Sequence, residues 1–227
     1  MGRKVDVKAN VNVATGISVS ARATVSATLR IRRNMAVQFL SGSAYFCRRI
    51  AEIEKENAGK PFSNFFDEII WNFSACIMLS VAALEAYINE CADDISFDKE
   101  LLELVGRRPA ILDRYYYFLK LNNKPLFNKG QRPAQDISGL ITLRNKLVHF
   151  VPVWDDQIHR QQMENLVPNL QTSPFLGEKE PFFPLRCISH SYAEWGIKVV
   201  CDFLEMFSDL AGLKFKLAKQ SHKFRTV

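Results

Sequence analysis

The sequence lacks several patterns that mark common classes of protein. It has no run of 18 consecutive apolar residues and no apolar signal-peptide core at its N-terminus, so we expect a cytoplasmic protein without membrane contact. It has no glycine-rich loop for a nucleotide phosphate and no Ser/His/Asp pattern of a serine hydrolase. We therefore expect no cofactor.

The cysteines argue against a disulfide-stabilised secreted protein. There are five, an odd number, and no Cys-x-x-Cys pair occurs. We expect reduced thiols within the core, as is usual in the cytosol. A metal site is not expected either, because the only candidate ligands are His149, Asp155, Asp156 and His159, which have no recognised spacing.

The net charge of +6 is concentrated at the N-terminus. Residues 1–33 contain seven of the 30 basic residues and one of the 24 acidic residues, so the rest of the chain is neutral. A second basic stretch, without any acid, runs through residues 214–227. The main domain is therefore not a basic nucleic-acid platform, and long-range attraction for polyanions is expected from these two ends.

Residues 1–33 predict a basic β-hairpin arm. Apolar residues alternate with polar ones from Val5 to Ile31, the period of a strand, and Gly16 stands where a three-residue hairpin loop needs a left-handed residue. A two-stranded ribbon is marginal alone, so its apolar face should cover the helical body or a second protomer. A basic targeting peptide is the alternative, although its helical period is not seen.

The remainder predicts a mainly α-helical, antiparallel bundle over residues 34–213, followed by the basic tail. The periodicity changes to that of amphipathic helices after Arg33, and glycine or proline residues separate the segments. The predicted helices cover residues 34–57, 63–94, 97–105, 109–121, 135–150 and 186–213. Residues 122–134 and 152–185 are predicted to be largely irregular.

The strongest candidate site lies at the end of the fifth of these helices. Asn145 and His149 are four residues apart and share one helix face, which the long side chain of Arg144 can also reach. A guanidinium can clamp a phosphate and an imidazole can exchange a proton near neutral pH, so the set is suited to cleaving RNA through its 2′-hydroxyl. The alternative is a structural helix end, with Arg144 paired to an acid and His149 bonded to the last carbonyls.

A family resemblance favours the first interpretation. The stretch Leu-Arg-Asn-Lys-Leu-Val-His at residues 143–149 resembles the Leu-Arg-Asn-x-x-x-His signature of the HEPN superfamily of helical-bundle proteins. Residues 83–90, Ala-Leu-Glu-Ala-Tyr-Ile-Asn-Glu, resemble a stretch of several bacterial members, as does the segment 119–133. The resemblance covers about residues 40–215 and leaves out the N-terminal arm.

The resemblance implies an activity and roles for the residues. Many HEPN proteins are metal-independent endoribonucleases that act as toxins or in antiviral defence, and they are homodimers whose two motifs form one cleft. It implies that Arg144 binds phosphate, His149 acts in acid–base catalysis and Asn145 orients these groups. The implied partners are RNA, a second copy of the chain, and an antitoxin or another protein of a defence complex.

One departure limits the resemblance. Some members have a tyrosine two or three residues after the histidine, which a partner nucleotidyltransferase modifies, whereas this chain has Val151 and Pro152. This counts against that particular toxin–antitoxin arrangement. Other HEPN domains are non-catalytic interaction or RNA-binding modules, or subunits of larger complexes, and these remain alternatives.

Two further features have open interpretations. Glu85 and Asn89 lie four residues apart beside the apolar stripe of the second helix, so they are either a solvent-facing pair or a support that holds Arg144 or His149 in place. The aromatic run at residues 115–118 could stack on RNA bases, but such runs on helices more often belong to the core or an interface. His190 is expected to pack or to cap the last helix.

Overall fold

The computed structural model describes residues 35–92, 109–151 and 165–213, together with Lys99, Glu103 and Met163. This part of the chain is mainly helical and contains no strand. Its five α-helices are α1 (Met35–Glu56), α2 (Phe65–Cys91), α3 (Ile111–Leu121), α4 (Ala134–Val148) and α5 (His190–Ala211). A short wide helical turn, Phe182–Arg186, precedes α5. Three predicted segments lie outside the described residues: the arm at residues 1–33, the tail at 214–227 and nearly all of the helix at 97–105.

Helices α1 and α2 form an antiparallel hairpin in close contact. Glu90 accepts a hydrogen bond from the backbone N–H of Met35 (3.0 Å), whereas the Arg49 guanidinium near the other end of α1 bonds to Glu68 (2.9 Å). Between these two ends the hydroxyl of Ser43 lies 2.7 Å from that of Ser80. These buried hydroxyls satisfy each other and the Cys76 carbonyl, so the polar groups between the helices do not lose hydrogen bonds on burial.

The buried face of α1 agrees with the sequence prediction in its second half only. The apolar pattern predicts one side formed by Met35, Phe39, Phe46, Ile50 and Ile53. Ile50 and Ile53 are buried, but Met35 is 43% exposed and both phenylalanines lie at the border of the core. The residues that face the core are mostly small, namely Ala36, Leu40, Ser43, Ala44, Cys47, Ile50 and Ile53. Small side chains let the two backbones approach, and a Cβ atom on Gly42 would already lie 2.9 Å from Leu79.

The sequence pattern predicts a buried stripe along the second helix, which includes Ile69, Phe73, Leu84 and Ile88, and another along the last helix, which includes Tyr192 and Phe207; both are confirmed. The stripe of α2, from Ile69 through Phe73 and Leu84 to Ile88, is buried, and so are the apolar positions of α5 from Tyr192 to Phe207. The thiol of Cys76 contacts the Ala193 carbonyl, and the hydroxyl of Tyr87 bonds to Ser208 farther along, so α2 and α5 run in the same direction. The antiparallel arrangement therefore holds for α1 and α2 but not for this pair.

The aromatic run of α3 belongs to the core at its first position. Tyr115 is fully buried, its ring meets Phe203 and Phe207 edge to face at 4.9 and 4.7 Å, and its hydroxyl donates to the Leu84 carbonyl oxygen (2.7 Å). Burial raises the pKa of this phenol well above its usual range. Tyr115 is therefore a packing residue that is unavailable for stacking on a base.

All five cysteines are free thiols, as predicted. Cys47, Cys76, Cys187 and Cys201 are buried, and Cys91 is half-buried. A hydrogen bond with Cys76, together with burial, raises the pKa of the Cys47 thiol. A protonated thiol is a poor nucleophile and metal ligand, so Cys47 acts as a small core side chain.

The last helix begins four residues later than predicted. Ser189 caps it by accepting a hydrogen bond from the backbone N–H of Tyr192 (3.5 Å), and Glu54 accepts one from that of His190 (2.9 Å). Burial raises the pKa of the Glu54 carboxyl, against the opposing effect of this hydrogen bond. Gly212, at φ 70°, ends the helix in the left-handed conformation.

Helix α2 is long and apolar enough to cross a membrane, with a mean hydropathy of 1.7 in its most apolar window. Length and composition are weak evidence, because the core helix of a globular protein passes the same test. Half of that window is buried inside the bundle. The contacts of α2 with α1 and α5 are those of a core helix.

Helix α4, which carries the candidate motif, packs closely against the backbone of Leu166 at Gly139. A Cβ atom added to Gly139 would overlap the backbone carbonyl oxygen of Leu166, an atom that cannot rotate away. We expect Gly139→Ala to lower the free energy of unfolding by about 1–3 kcal/mol, because the overlap outweighs the better helix propensity of alanine. Urea denaturation measures this change in the free energy of unfolding. Gly177→Ala is the control, since a Cβ there meets nothing within 4 Å; equal stability of the two variants would contradict the packing described.

Candidate functional site at the end of helix α4

Helix α4 ends at the predicted motif, two residues before the predicted position. Val148 is its last residue and His149 is the C-cap, whose backbone N–H donates to the Asn145 carbonyl oxygen (2.9 Å). Pro152 in the sequence disfavours helical geometry for the residue before it, so the helix has to end near this point. The side chains of Asn145 and His149 are both exposed. An exposed amide and an exposed imidazole thus stand on the last turn of one helix.

Arg144 is fixed by a residue of α2. Its Nη2 atom lies 3.1 Å from Oε1 of Glu85, and the two side chains are 25% and 47% exposed. The pair links α2 to α4 and sets the direction of the guanidinium at the edge of the core. Glu85 therefore contacts Arg144, as one of the two interpretations of Glu85 expects, and the same pairing with an acid is expected of a structural helix end.

Asn89 does not share that contact. Its Oδ1 atom accepts a hydrogen bond from Nη1 of Arg114 on α3 (2.6 Å). The two residues predicted to support the motif are thus divided, since Glu85 links α2 to α4 and Asn89 links α2 to α3. Nothing in the sequence distinguishes these partners, because both arginines follow α2 at helix positions bordering an apolar face.

Exposed apolar residues flank His149 in the chain, and sequence reasoning did not anticipate their exposure. Val148, Phe150 and Val151 are 46%, 48% and 72% exposed, and the ring of Phe150 lies 6.2 Å from that of Phe183. The sequence predicts an irregular segment after this helix, and that prediction made no statement about an apolar surface there. The signal was available in the apolar residues on both sides of His149, but such a run is more typical of core.

Within the described residues the other candidates form no second site. Among the described residues no group of three or more histidine, cysteine, aspartate or glutamate side chains could hold a metal ion, and Asp155, Asp156 and His159 lie outside them. His190 is the half-buried first residue of α5, and Ser189 rather than His190 caps the helix. The chemistry open to the described site is that of a guanidinium, an amide and an imidazole, which can bind an anion and transfer a proton.

Comparison of the chain with models of known protein families, with curated proteins and with solved structures finds no match. The case for a function therefore rests on the residues and geometry of the site.

Proposed function

We propose that the chain is a HEPN-type, metal-independent endoribonuclease with its site at the end of α4. The observation that carries the proposal is the ion pair between Glu85 and Arg144, next to the exposed Asn145 and His149. Because Glu85 on α2 holds the guanidinium of Arg144, this group keeps one orientation before any substrate binds. Preorganised charge of this kind is what stabilises a developing negative charge most effectively.

The proposed reaction is an intramolecular transfer at phosphorus. The His149 imidazole removes the proton of the 2′-hydroxyl, and the 2′-oxygen forms a bond to the neighbouring phosphorus while the bond to the 5′-oxygen breaks. That oxygen leaves with a proton, so the products are a 2′,3′-cyclic phosphate and a 5′-hydroxyl. Arg144 offsets the charge on the phosphoryl oxygens and Asn145 orients the ring or a phosphate oxygen.

A homodimer is part of the proposal. The apolar residues Val148, Phe150 and Val151 flank His149, and a second copy of the chain packed on them would bury them and bring a second motif to the same place. This arrangement would supply one imidazole to accept a proton and another to donate one. The proposed setting is a cytoplasmic toxin or antiviral-defence system, with an antitoxin or defence-complex protein as a regulating partner.

A second candidate is a non-catalytic RNA-binding or interaction module, which could also be a subunit of a larger defence complex. The observation that favours it is again the ion pair, because a guanidinium already paired with Glu85 can serve simply to hold α4 against α2. In that case His149 would contribute to an interface rather than to a reaction.

Cleavage of RNA in the presence of EDTA tests the proposal. We expect the full-length chain to cut single-stranded RNA, to leave 2′,3′-cyclic phosphate ends, and to spare a DNA strand of the same sequence, which lacks the nucleophile. Gel analysis of end-labelled strands measures the cleavage of the RNA and of the DNA. Cleavage of the DNA at the same rate, or a requirement for added Mg²⁺, would contradict the mechanism. Binding of RNA without cleavage would favour the non-catalytic module.

A further inference from the structure

One exposed face of α4 carries polar side chains without any charge. Gln135, Ser138, Thr142, Asn145 and His149 follow one another at spacings of three and four residues, which places them on one side of the helix. All of them are exposed except Thr142, which is half-exposed. We call these five residues the polar stripe.

The polar stripe differs from the charged solvent faces of the bundle, and it ends at the proposed site. The second half of α1 has charges of both signs, including the pair of Arg49 with Glu52, and α5 has the pair of Lys198 with Asp202. The first half of α1 also exposes uncharged polar residues, Gln38 and Ser41, but that face does not lead to His149 in the sequence of its helix. Charged faces of this kind are usual for a helix in contact with water. Asp136 lies beside the stripe but is largely covered and paired with Arg132.

The residue types of the stripe also have low helix propensity. Serine, threonine and asparagine are poorer helix formers than the lysine, glutamate or alanine that an exposed position accepts. Their hydroxyl and amide groups are, however, good partners for phosphate and sugar oxygens. The absence of a carboxylate on the stripe and the position of Lys146 at its edge suit an anionic ligand.

We propose that a single-stranded RNA lies along the polar stripe, from the cleavage point at His149 towards Gln135. The inference rests on the proposed function, to which it adds the path of the substrate. The five positions span about 21 Å at ~1.5 Å per residue. That length matches about six stacked nucleotides at ~3.4 Å each. Contacts of this type position the strand without reading its sequence, so we expect little preference among bases along the stripe.

Binding measurements in a His149→Ala background test the path, since RNA is then not consumed. The test variant is Gln135→Glu with Ser138→Glu, which puts two negative charges on the stripe. The matched control is Gln38→Glu with Ser41→Glu, which adds the same charges at the same spacing on the exposed face of α1. Fluorescence anisotropy with a labelled single-stranded RNA gives Kd. We expect the stripe variant to raise Kd about tenfold or more and the control about twofold at most.

Each outcome bears on the proposal. Equal weakening by both variants would show an effect of net charge alone and would overturn it, as would unchanged binding by both. A stripe variant that changes the sedimentation coefficient but not the affinity for RNA would assign the face to a second copy of the chain, and would overturn it too. Gln135→Ala with Ser138→Ala guards against misfolding of the charged variant, because it removes the contacts without adding charge and should also weaken binding.

The failure of the path and of the activity can be told apart. If the wild-type chain cuts RNA and the stripe variant cuts it equally well at low RNA concentration, the endoribonuclease stands and the path is wrong. If the wild-type chain binds RNA without cutting it, and the stripe variant loses the binding, the path stands and the activity is wrong.

Discussion

Replacement of His149 by alanine is expected to reduce the rate of RNA cleavage by about 10²–10⁴-fold, the usual contribution of a general acid–base group. The imidazole is exposed, and the one hydrogen bond described for this residue is made by its backbone N–H to the Asn145 carbonyl. Alanine keeps that bond, so the variant should fold as the wild type does. Initial rates with EDTA present, together with a thermal unfolding curve, separate the loss of chemistry from a loss of structure.

Asn122→Ala is the control for this variant. Asn122 is likewise the exposed C-cap residue of a helix, α3, where its side chain donates to the Phe118 carbonyl oxygen (2.8 Å). We expect it to cleave at close to the wild-type rate, with at most a small loss of stability from the missing cap bond. If the two variants cleave at the same rate, whether fast or slow, His149 has no special part in the reaction.

The helical fold could be predicted from periodicity because long helices repeat their apolar pattern many times. In α2, residues such as Ile69, Phe73 and Leu84 identify the buried side of the helix. Glycine, proline and capping residues predict the ends of the helices to within a few positions. The face of α1 was predicted correctly at Ile50 and Ile53 and wrongly in its first half, where Met35, Phe39 and Phe46 outweighed their smaller neighbours in the pattern. Close packing of two helices selects small residues, and hydrophobicity alone does not reveal how closely a partner approaches.

The candidate site was accessible from sequence only in part. Asn145 and His149 are one helical turn apart, so their common face followed from the spacing. The partner of Glu85 is 59 residues away along the chain, and a choice among Arg144, His149 and Arg114 requires the angles at which α3 and α4 cross α2. The exposure of Phe150 likewise depends on where the chain turns after α4. Such angles arise from the fit of many side chains and leave no local signal.

Arg144→Ala is expected to lower kcat for RNA cleavage by about 10²–10³-fold, the effect of removing one group that stabilises the transition-state charge. Arg144→Lys should recover only part of this, because an ammonium cannot keep a contact with Glu85 and offer a second planar donor to a phosphate. Steady-state kinetics with EDTA present measures kcat and KM separately. The loss of stability should stay near 1 kcal/mol, since the ion pair is partly exposed.

In the proposed mechanism Glu85 acts through Arg144, with which it forms an ion pair, and is a positioning residue. We expect Glu85→Ala to reduce kcat about tenfold, because the guanidinium then samples several directions. Glu85→Gln keeps an oxygen that accepts from Nη2 and should restore most of the rate, which a purely electrostatic role would not allow.

Arg49→Ala separates a functional arginine from a structural one. Arg49 is also partly exposed, at 34%, and bonds to Glu68 across the α1–α2 hairpin at 2.9 Å. Its removal should cost a similar amount of stability to the loss of the Arg144 pair and leave kcat unchanged. If Arg49→Ala and Arg144→Ala lower kcat equally, the guanidinium of Arg144 serves only to hold α4 against α2, and the non-catalytic module becomes the better account of the site.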